Sequence, residues 1–317
     1  MKILILAAGA VGSILAARLE ESGHEVEVVA RADHAAAIRA SGLRIDGVGA
    51  GTFRLPALDG LAGATEPDLV IVTAKTFDLP NAARDLGRRF PQLPPTLLPQ
   101  NGLHIEGPIR DLLRSIGVGE PERSLVRAVT FLGATLERPG VVRQVGNGEL
   151  VFQDPAAGGP AASATREFVR VFRGTTLRVR TVPDLERELW RKAIVNAAIN
   201  PLTALHGVPN GRLRDPPYRD PARRLLREAQ QAASLAGYAF SDAESDAELD
   251  RVLRGTAENR SSMLQDWDRG RPTEVDAISG EILREAESHG VELPETRAVV
   301  QRLRAGHPPP AGGTQPS

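Results

Sequence analysis

The sequence predicts an α/β chain with a doubly wound parallel sheet in its first part and an all-α second part. Through the first 180 residues, short continuous apolar runs alternate with helical patterns, as in Lys2–Ala7, Val11–Leu19 and Glu25–Ala30. Strands that are buried on both faces of a parallel sheet have this texture, and helices connect them. From Pro183 onward nearly every segment has helical periodicity, so we expect the architecture to change near residue 181.

These patterns divide the chain into three regions. We expect an N-terminal domain over 1–180, a helical domain over 181–306 and a disordered Pro/Gly-rich tail over 307–317. In the first domain, Leu125–Phe152 predicts less regular strands at one edge of the sheet. Its other predicted elements are the strands Leu69–Thr73 and Thr96–Leu98 and the helix Leu79–Phe90. In the second domain the clearest predicted helices are Asp220–Leu235, Asp242–Arg254 and Pro272–Ser288.

Composition excludes several classes of function. The chain has 317 residues with a net charge of −1, so it is long enough for two domains and has no overall attraction for nucleic acid or anionic membranes. Cysteine is absent, which excludes disulfides, thiolate metal sites and cysteine nucleophiles. The histidines show no pair at metal-ligand spacing, so no metal is predicted. No apolar run reaches the ~18 residues of a spanning helix, and the cytoplasm is the default location.

A glycine turn joins the first strand to the first helix. It has the sequence Ala7-Ala8-Gly9-Ala10-Val11-Gly12, in which Ala7 replaces the first glycine of the dinucleotide fingerprint. In that fingerprint the second glycine lets the backbone approach a pyrophosphate, and the third lets the helix pack closely on the strand. Alanine can make the tight turn if φ stays negative. The position of the turn predicts a Rossmann-type domain; the alternative is a turn whose glycines serve packing only.

Arg31 follows the second strand directly. An Asp or Glu at this point would accept hydrogen bonds from the ribose 2′-hydroxyl of NAD, whereas an arginine can pair with the 2′-phosphate of NADP. The sequence therefore predicts NADPH as cofactor, unless Arg31 is an ordinary surface arginine.

One helix of the second domain carries a polar stripe. Lys192, Asn196 and Asn200 are spaced four residues apart and so lie on one face, while the surrounding positions are mostly Ala, Ile and Val. A buried lysine with two amides needs partners, and a polar substrate would supply them. The alternative is the solvated face of an ordinary amphipathic helix. A second polar cluster, Glu258–Asp266 followed by Thr273–Asp276, does not by itself define a site.

Assembled in order, these residues resemble the 2-dehydropantoate 2-reductase (ketopantoate reductase) family over nearly the whole chain. Ala7 departs from that resemblance, because the family usually has glycine there. The matching blocks are the glycine turn with Arg31, Thr73–Lys75, Gln100–Gly102, Lys192 through Ala204, Pro209–Gly211, Ser261–Asp266 and Thr273–Asp276.

The resemblance implies a cytoplasmic, NADPH-dependent oxidoreductase that reduces 2-dehydropantoate to pantoate, in pantothenate and coenzyme A biosynthesis. Lys192 would be the catalytic acid, with Glu274 beside it and beside the nicotinamide. The implied substrate contacts are Asn101, Asn196, Asn200, Asn210 and Ser262. The implied cofactor contacts are Ala7 to Gly12 (Ala7, Ala8, Gly9, Ala10, Val11 and Gly12), Arg31, Lys75, Asn101, Ala134 and Glu274.

Two alternatives stay open at this point. The chain could reduce a different 2-oxo acid, because the motifs specify the reaction better than the substrate. It could also be an NADPH-binding sensor without turnover, although that function leaves the Lys192 stripe unexplained. The only partner predicted is the small oxo acid: nucleic acid and membrane are not expected, and a homodimer is the assembly considered.

Overall fold

The computed structural model describes residues 1–306, and the chain divides into two compact units. The first unit comprises Met1–Gln100 and His104–Leu185, and the second comprises Asn101–Leu103 with the chain from Glu186 onward. The division falls after Leu185, a few residues beyond the change expected from sequence, and three residues of an early loop belong to the later unit. The predicted disordered tail, 307–317, lies outside the described residues.

The first unit contains a large sheet and its covering helices. Its strands are β1 (Lys2–Leu6), β2 (Glu25–Val29), β3 (Leu43–Gly47), β4 (Gly51–Phe53), β5 (Ala57–Leu58), β6 (Leu69–Val72), β7 (Thr96–Leu98), β8 (Leu125–Arg138), β9 (Val141–Gln153) and β10 (Arg178–Val182). Its helices are α1 (Ala10–Glu21), α2 (Ala32–Ser41), α3 (Leu79–Arg89), α4 (Glu106–Ser115), α5 (Pro121–Ser124) and α6 (Ala162–Arg173), with 3₁₀ turns at Leu61–Gly63 and Pro155–Ala157.

The strand order places β1 at the point where the sheet is wound in both directions. The order is β4-β3-β9-β8-β7-β6-β1-β2-β5, with β10 also paired to β9. β1 pairs in parallel with β2 on one side and with β6 on the other. In open α/β sheets, ligands bind outside the carboxyl ends of the strands at this switch point. The turn after Leu6 lies there.

Alternate residues of β1 face two separate cores. Ile3 and Ile5 belong to a core built with α1 and α6, whereas Leu4 and Leu6 belong to a core built with α3 and α4. Successive side chains of a strand point to opposite faces, so a strand with helices on both sides must be apolar throughout. This arrangement confirms the doubly wound parallel sheet and explains the unbroken apolar run at the start of the chain.

The prediction of less regular strands over Leu125–Phe152 is confirmed, but their expected place at one edge of the sheet is wrong. β8 and β9 are long, pair antiparallel with each other, and lie between β7 and β3 inside the sheet. Their register shifts between Phe131 and Gly133 and again between Leu136 and Arg138. Glycine within a strand commonly marks such a bulge, so the glycines of this stretch are consistent with the irregular strands that were expected.

The second unit is helical, which confirms the predicted all-α part of the fold. α8 packs against α9, α11 and α12. The predicted helix Pro272–Ser288 is only partly correct, because regular helix begins at Glu281 and a π-helical turn precedes it. The elements are α7 (Leu185–His206), a 3₁₀ turn (Asn210–Arg214), α8 (Arg219–Leu235), α9 (Asp242–Gly255), α10 (Ser262–Asp268), a π turn (Asp276–Gly280), α11 (Glu281–Ser288) and α12 (Pro294–Ala305).

Candidate functional site

The glycine turn leads from β1 directly into α1. Gly9 is the N-cap residue of α1, and as a glycine it has no side chain to cap the backbone N–H groups of the first turn. A Cβ added to Gly9 would meet no atom of residues 1–306 within 4 Å, so the space over this turn is open. A helix N-terminus with uncapped N–H groups and open space beside it is suited to bind a phosphate.

Gly12 serves a different purpose, close packing. A Cβ at this position would overlap Oγ1 of Thr73 and approach Cγ2 of Ile5 to 3.1 Å. The Thr73 hydroxyl donates to the carbonyl oxygen of Ala7 at 3.0 Å, which ties the end of β6 to the turn. Only glycine allows α1 to approach β1 and β6 so closely.

Ala7 adopts a left-handed backbone conformation. Its φ is 61°, so the expectation that alanine makes this turn with negative φ is wrong. A side chain in this region clashes with its own backbone and costs on the order of 1–2 kcal/mol, whereas glycine adopts it freely. The turn therefore has the backbone conformation that a glycine at this position would favour, although the residue is an alanine.

We expect Ala7→Gly to raise the free energy of unfolding by about 0.5–1 kcal/mol, because relief of the backbone strain exceeds the added entropy of the unfolded chain. Urea unfolding of both proteins measures this change. Ala8→Gly is the matched control: Ala8 is buried and has no positive φ, so its replacement should lower stability. A loss of stability in Ala7→Gly would contradict the role of strain at this turn.

Arg31 lies at the carboxyl end of β2, one strand away from the glycine turn. It is the N-cap residue of α2, and its side chain is exposed. Ala8 donates its backbone N–H to the carbonyl oxygen of Val29 at 2.8 Å, which joins the turn after β1 to the end of β2. The structure thus brings the glycine turn and Arg31 to the same edge of the sheet.

The carboxyl ends of β6 and β7 carry Lys75 and Gln100. The side-chain amide of Gln100 donates to the carbonyl oxygens of Val72, at 2.5 Å, and Ala74. Gln100 is buried and fixes the end of β6 just before Lys75, which is partly buried. Sequence reasoning noted Gln100 in a motif but missed this bracing role. Only a tertiary contact between two strands reveals it.

Ala134 lies on β8, opposite Gln144 of β9. It is partly buried against the same core as Ala10 and Val11 of α1. The strand that carries Ala134 therefore packs beside the helix of the glycine turn.

In the second unit, α7 presents Lys192, Asn196 and Asn200 along one face. Lys192 and Asn196 are partly buried, and Asn200 is 5% exposed. The intervening Ala193–Val195 and Ala197–Ile199 are buried. The stripe is not the solvated face of an amphipathic helix, because a solvated face would be open along its length.

Asn101 lies in a short loop that contacts the π turn after Glu274. The backbone N–H of Leu103 donates to the carbonyl oxygen of Ala277 at 3.2 Å, and Gly102 has a φ of 108°. A Cβ on Gly102 would lie 2.5 Å from that same carbonyl oxygen. The absence of a side chain at Gly102 therefore allows close contact between this loop and the π turn. The contact brings Asn101 close to the segment that carries Glu274.

Glu274 is 8% exposed and lies two residues before that π turn. Its carbonyl oxygen accepts hydrogen bonds from Ala277 and Ile278, each at 3.2 Å. π turns interrupt regular helices and occur frequently at functional sites. The neighbouring hydroxyl oxygens of Thr273 and Ser279 are buried without a hydrogen-bond partner among residues 1–306.

Asn210 makes two hydrogen bonds to its neighbours, but its side-chain oxygen makes none within residues 1–306. Its side-chain amide donates to Oγ1 of Thr256 at 2.9 Å, and its backbone N–H donates to the carbonyl oxygen of Asn259 at 3.0 Å. Its Oδ1 is buried and has no hydrogen-bond partner in the described part of the chain. Buried polar atoms are nearly always hydrogen-bonded, so Oδ1 is available to a donor on a ligand.

Ser261 and Ser262 have different surroundings. Ser261 is buried, and its hydroxyl accepts from the Leu264 backbone N–H at 3.1 Å as the N-cap of α10. It also lies 2.7 Å from Oγ1 of Thr203 on α7. Oγ1 of Thr203 also lies 3.0 Å from the carbonyl oxygens of Ile199 and Asn200, so Ser261 joins α10 to a hydrogen-bonded group on α7. Ser262 is exposed at the first position of α10.

We expect Ser261→Ala to lower the free energy of unfolding by about 2 kcal/mol, because it removes a helix cap and a buried hydrogen bond. Ser262→Ala should leave stability within about 0.5 kcal/mol, since an exposed hydroxyl contributes little to the fold. If Ser262 contacts substrate, as the family resemblance implies, its replacement should instead raise the KM for the oxo acid. Thermal unfolding and steady-state kinetics of both variants separate the two roles. Equal stability losses would contradict this division.

Two further structural facts bear on the site. Within residues 1–306, no group of three or more His, Asp or Glu side chains is placed to hold a metal ion. None of the helices in that range combines the length and the apolarity needed to cross a membrane.

Comparison with family models decides the family. The model described as "Ketopantoate reductase PanE/ApbA" matches residues 3–157, and "Ketopantoate reductase PanE/ApbA C terminal" matches residues 184–307. The chain belongs to the ketopantoate reductase family. The resemblance inferred from the sequence is therefore confirmed.

Individual relatives agree with this membership of the ketopantoate reductase family. A protein of Archaeoglobus fulgidus named 2-dehydropantoate 2-reductase is 32% identical over 304 residues, which cover 96% of this chain and 97% of that protein. The crystal structure of a PanE/ApbA family ketopantoate reductase from Ralstonia eutropha JMP134 has a TM-score of 0.84 and 29% identity, covering 96% of this chain and 98% of that one. A D-mandelate dehydrogenase in complex with NADH has a TM-score of 0.82 and 25% identity, covering 96% and 98%.

Proposed function

We propose that the chain catalyses the NADPH-dependent reduction of 2-dehydropantoate to pantoate, with Lys192 as the acid. The observation that carries the proposal is the face of α7, where a partly buried lysine and two amides interrupt an otherwise buried apolar helix. Membership of the ketopantoate reductase family supports the choice of reaction. The A. fulgidus relative is named for this activity and matches almost end to end. A cytoplasmic location and a homodimer stay predictions.

The residues of the first unit fit a dinucleotide. The uncapped N-terminus of α1 and the open space over Gly9 suit the pyrophosphate. The exposed guanidinium of Arg31, at the neighbouring strand end, suits the 2′-phosphate of NADP, because arginine binds phosphate through paired N–H donors. Lys75 and Ala134 would complete the cleft from β6 and β8. NADP(H), when bound, supplies the hydride for the reduction.

The groups of the second unit carry the rest of the reaction. As hydride reaches the C2 carbonyl carbon, the C=O π bond breaks and negative charge develops on oxygen. Lys192, as an ammonium group, stabilises that charge and donates the proton that completes the hydroxyl. Glu274, buried just before the π turn, would orient the lysine.

The amide and hydroxyl groups of the second unit offer the hydrogen-bond donors and the acceptor that a small hydroxylated oxo acid needs. Asn196 and Asn200 on α7, Asn101 in its loop and Ser262 at α10 offer N–H and O–H donors for a carboxylate. The buried Oδ1 of Asn210 is an acceptor, and a substrate hydroxyl is a donor that would satisfy it. A hydroxylated 2-oxo acid matches this combination of donors and an acceptor.

A second candidate is the reduction of a different 2-oxo acid. The D-mandelate dehydrogenase with NADH shares the fold at 25% identity, and its name refers to a 2-hydroxy acid other than pantoate. The shared fold is therefore compatible with substrates that have the same reacting 2-oxo carboxylate group but a different side chain. The free Oδ1 of Asn210 favours 2-dehydropantoate, because an aryl oxo acid has no hydroxyl to donate there.

The test is NADPH oxidation by the purified full chain with 2-dehydropantoate and a panel of other 2-oxo acids, including benzoylformate. The highest kcat/KM with 2-dehydropantoate is the expected result. A higher kcat/KM with another oxo acid would replace the substrate but keep the reaction. NADPH binding without turnover of any oxo acid would overturn the enzymatic proposal and favour a sensor.

A further inference from the structure

His34 is a buried histidine that the proposed reaction does not use. It lies in the first turn of α2, three residues after Arg31, and is 3% exposed. Its Nδ1 lies 2.9 Å from the backbone nitrogen of Gly140, and its Nε2 lies 3.0 Å from Oγ of Ser13. One side chain thus connects three segments that are far apart in sequence.

The hydrogen bonds fix the state of the ring. A backbone N–H can only donate, so Nδ1 of His34 must be the unprotonated nitrogen. The ring is then neutral with its proton on Nε2, and Nε2–H donates to the Ser13 hydroxyl, which is fully buried. A second proton on Nδ1 would face the Gly140 N–H as donor against donor.

Two of the three segments that meet at His34 are the ones that would hold the cofactor phosphates. Ser13 closes the first turn of α1, where its N–H donates to the carbonyl oxygen of Gly9 at 3.0 Å. Arg31 begins the first turn of α2, where its carbonyl oxygen accepts from Ala35 at 2.9 Å. The third segment, the turn between β8 and β9, packs on α2, and a Cβ on Gly140 would lie 3.0 Å from that of Ala37.

We infer that His34 is a positioning residue for the dinucleotide: it holds the turn that carries Arg31 at a set distance from the turn that carries Gly9. The inference rests on the proposed function, because it needs both turns to bind NADPH. Arg31 can meet the 2′-phosphate only if its helix is fixed while the pyrophosphate sits on α1. His34 therefore contributes to the preference for NADPH over NADH without touching either cofactor.

The surroundings of His34 keep the ring neutral. Burial lowers the pKa of His34, and the adjacent Asp33 carboxylate raises it by a smaller amount. The other charged residues of the connected segments are Arg31 and Arg39 with α2, Arg18, Glu20 and Glu21 on α1, and Arg138 before the turn. The neutral form is thus preferred in the folded chain. The stability it contributes is present above the ordinary histidine pKa and is lost as the pH falls below it.

The experiment measures dissociation constants for NADPH and NADH by fluorescence in the full chain without oxo acid. We expect His34→Ala to raise the Kd for NADPH by about tenfold and the Kd for NADH by less, so that the preference falls. The kcat at saturating NADPH should be unchanged, because His34 does not contact the reacting atoms. His34→Gln, which keeps an acceptor and a donor but does not titrate, should restore most of the preference.

Ser13→Ala keeps the inference testable if His34→Ala fails to fold, because it removes only the Nε2 partner and should weaken NADPH binding in the same direction. Below the ordinary histidine pKa of about 6.5, the affinity of wild type for NADPH should fall more steeply with falling pH than that of His34→Gln, because only wild type can protonate the ring. The 2′-phosphate itself gains a proton near pH 6, so the difference between the two proteins is the informative quantity.

Nitrogen NMR of the cofactor-free chain gives an independent measurement, and it should show the neutral ring with its proton on Nε2. A proton on Nδ1 would overturn the inference. So would an unchanged ratio of the two dissociation constants in a folded His34→Ala or Ser13→Ala protein that binds NADPH. If wild type binds no NADPH at all, the proposed function falls together with this inference.

Discussion

Replacing Lys192 by alanine should lower kcat by about a thousandfold while leaving the Kd for NADPH within about twofold. The ammonium group stabilises the charge that develops on the carbonyl oxygen and supplies the proton, so its loss acts on the transition state. NADPH should bind as before, since the residues proposed to hold its phosphates lie in the other unit. Single-turnover NADPH oxidation measures the chemical step directly, and fluorescence titration measures binding.

Arg191 provides the matched control on the same helix. Its guanidinium lies 3.2 Å from the Glu188 carboxylate and its side chain is 41% exposed, so Arg191→Ala removes one positive charge next to Lys192 without touching the stripe. The Glu188 side chain is 8% exposed, so Arg191→Ala should cost some stability, but it leaves the stripe intact and kcat of the folded protein should stay within about twofold. A kcat of Lys192→Ala close to that of Arg191→Ala would show that Lys192 is not the acid.

The sequence could predict the fold class because the apolar pattern reports burial directly. Ile3 to Leu6 read as a strand buried on both faces, and the structure places their side chains alternately in two cores. The irregularity of β8 and β9 was predicted, but their place inside the sheet was not, because strand order depends on pairing between segments that are distant in the chain. The helix expected over Pro272–Ser288 is only partly correct, because hydrophobic periodicity does not distinguish a π turn from a regular α-helical turn.

The site could be predicted only where a residue type carries the chemistry. Lys192, Asn196 and Asn200 are recognisable because polar groups stand out on an apolar helix. The left-handed φ of Ala7 is invisible in the sequence, since alanine rarely adopts it and the glycine that would signal it is absent. The hydrogen bonds of Gln100 and His34 also could not be predicted, because each is made to a partner distant in the chain.

Replacing Arg31 by aspartate should reverse the choice of cofactor. The exchange removes charge-assisted hydrogen bonds to the 2′-phosphate and adds a carboxylate that repels it, so the Kd for NADPH should rise on the order of 100-fold at low salt. The Kd for NADH should change little or fall, because an aspartate can accept hydrogen bonds from the 2′-hydroxyl. Arg31→Gln removes the attraction without adding repulsion, and its effect should lie between wild type and Arg31→Asp.

The position of Arg31 makes this result separable from damage to the fold. Arg31 is the N-cap of α2 and provides no side-chain cap, whereas aspartate is among the best N-cap residues, so thermal stability should be kept or raised. Arg170→Asp, the same charge change at an exposed site on α6, controls for net charge and should leave both dissociation constants unchanged. Because the Arg31 side chain is exposed, the loss should shrink as salt rises. An NADPH-to-NADH ratio in Arg31→Asp equal to that in Arg170→Asp would show that Arg31 is an ordinary surface arginine and that NADPH is selected elsewhere.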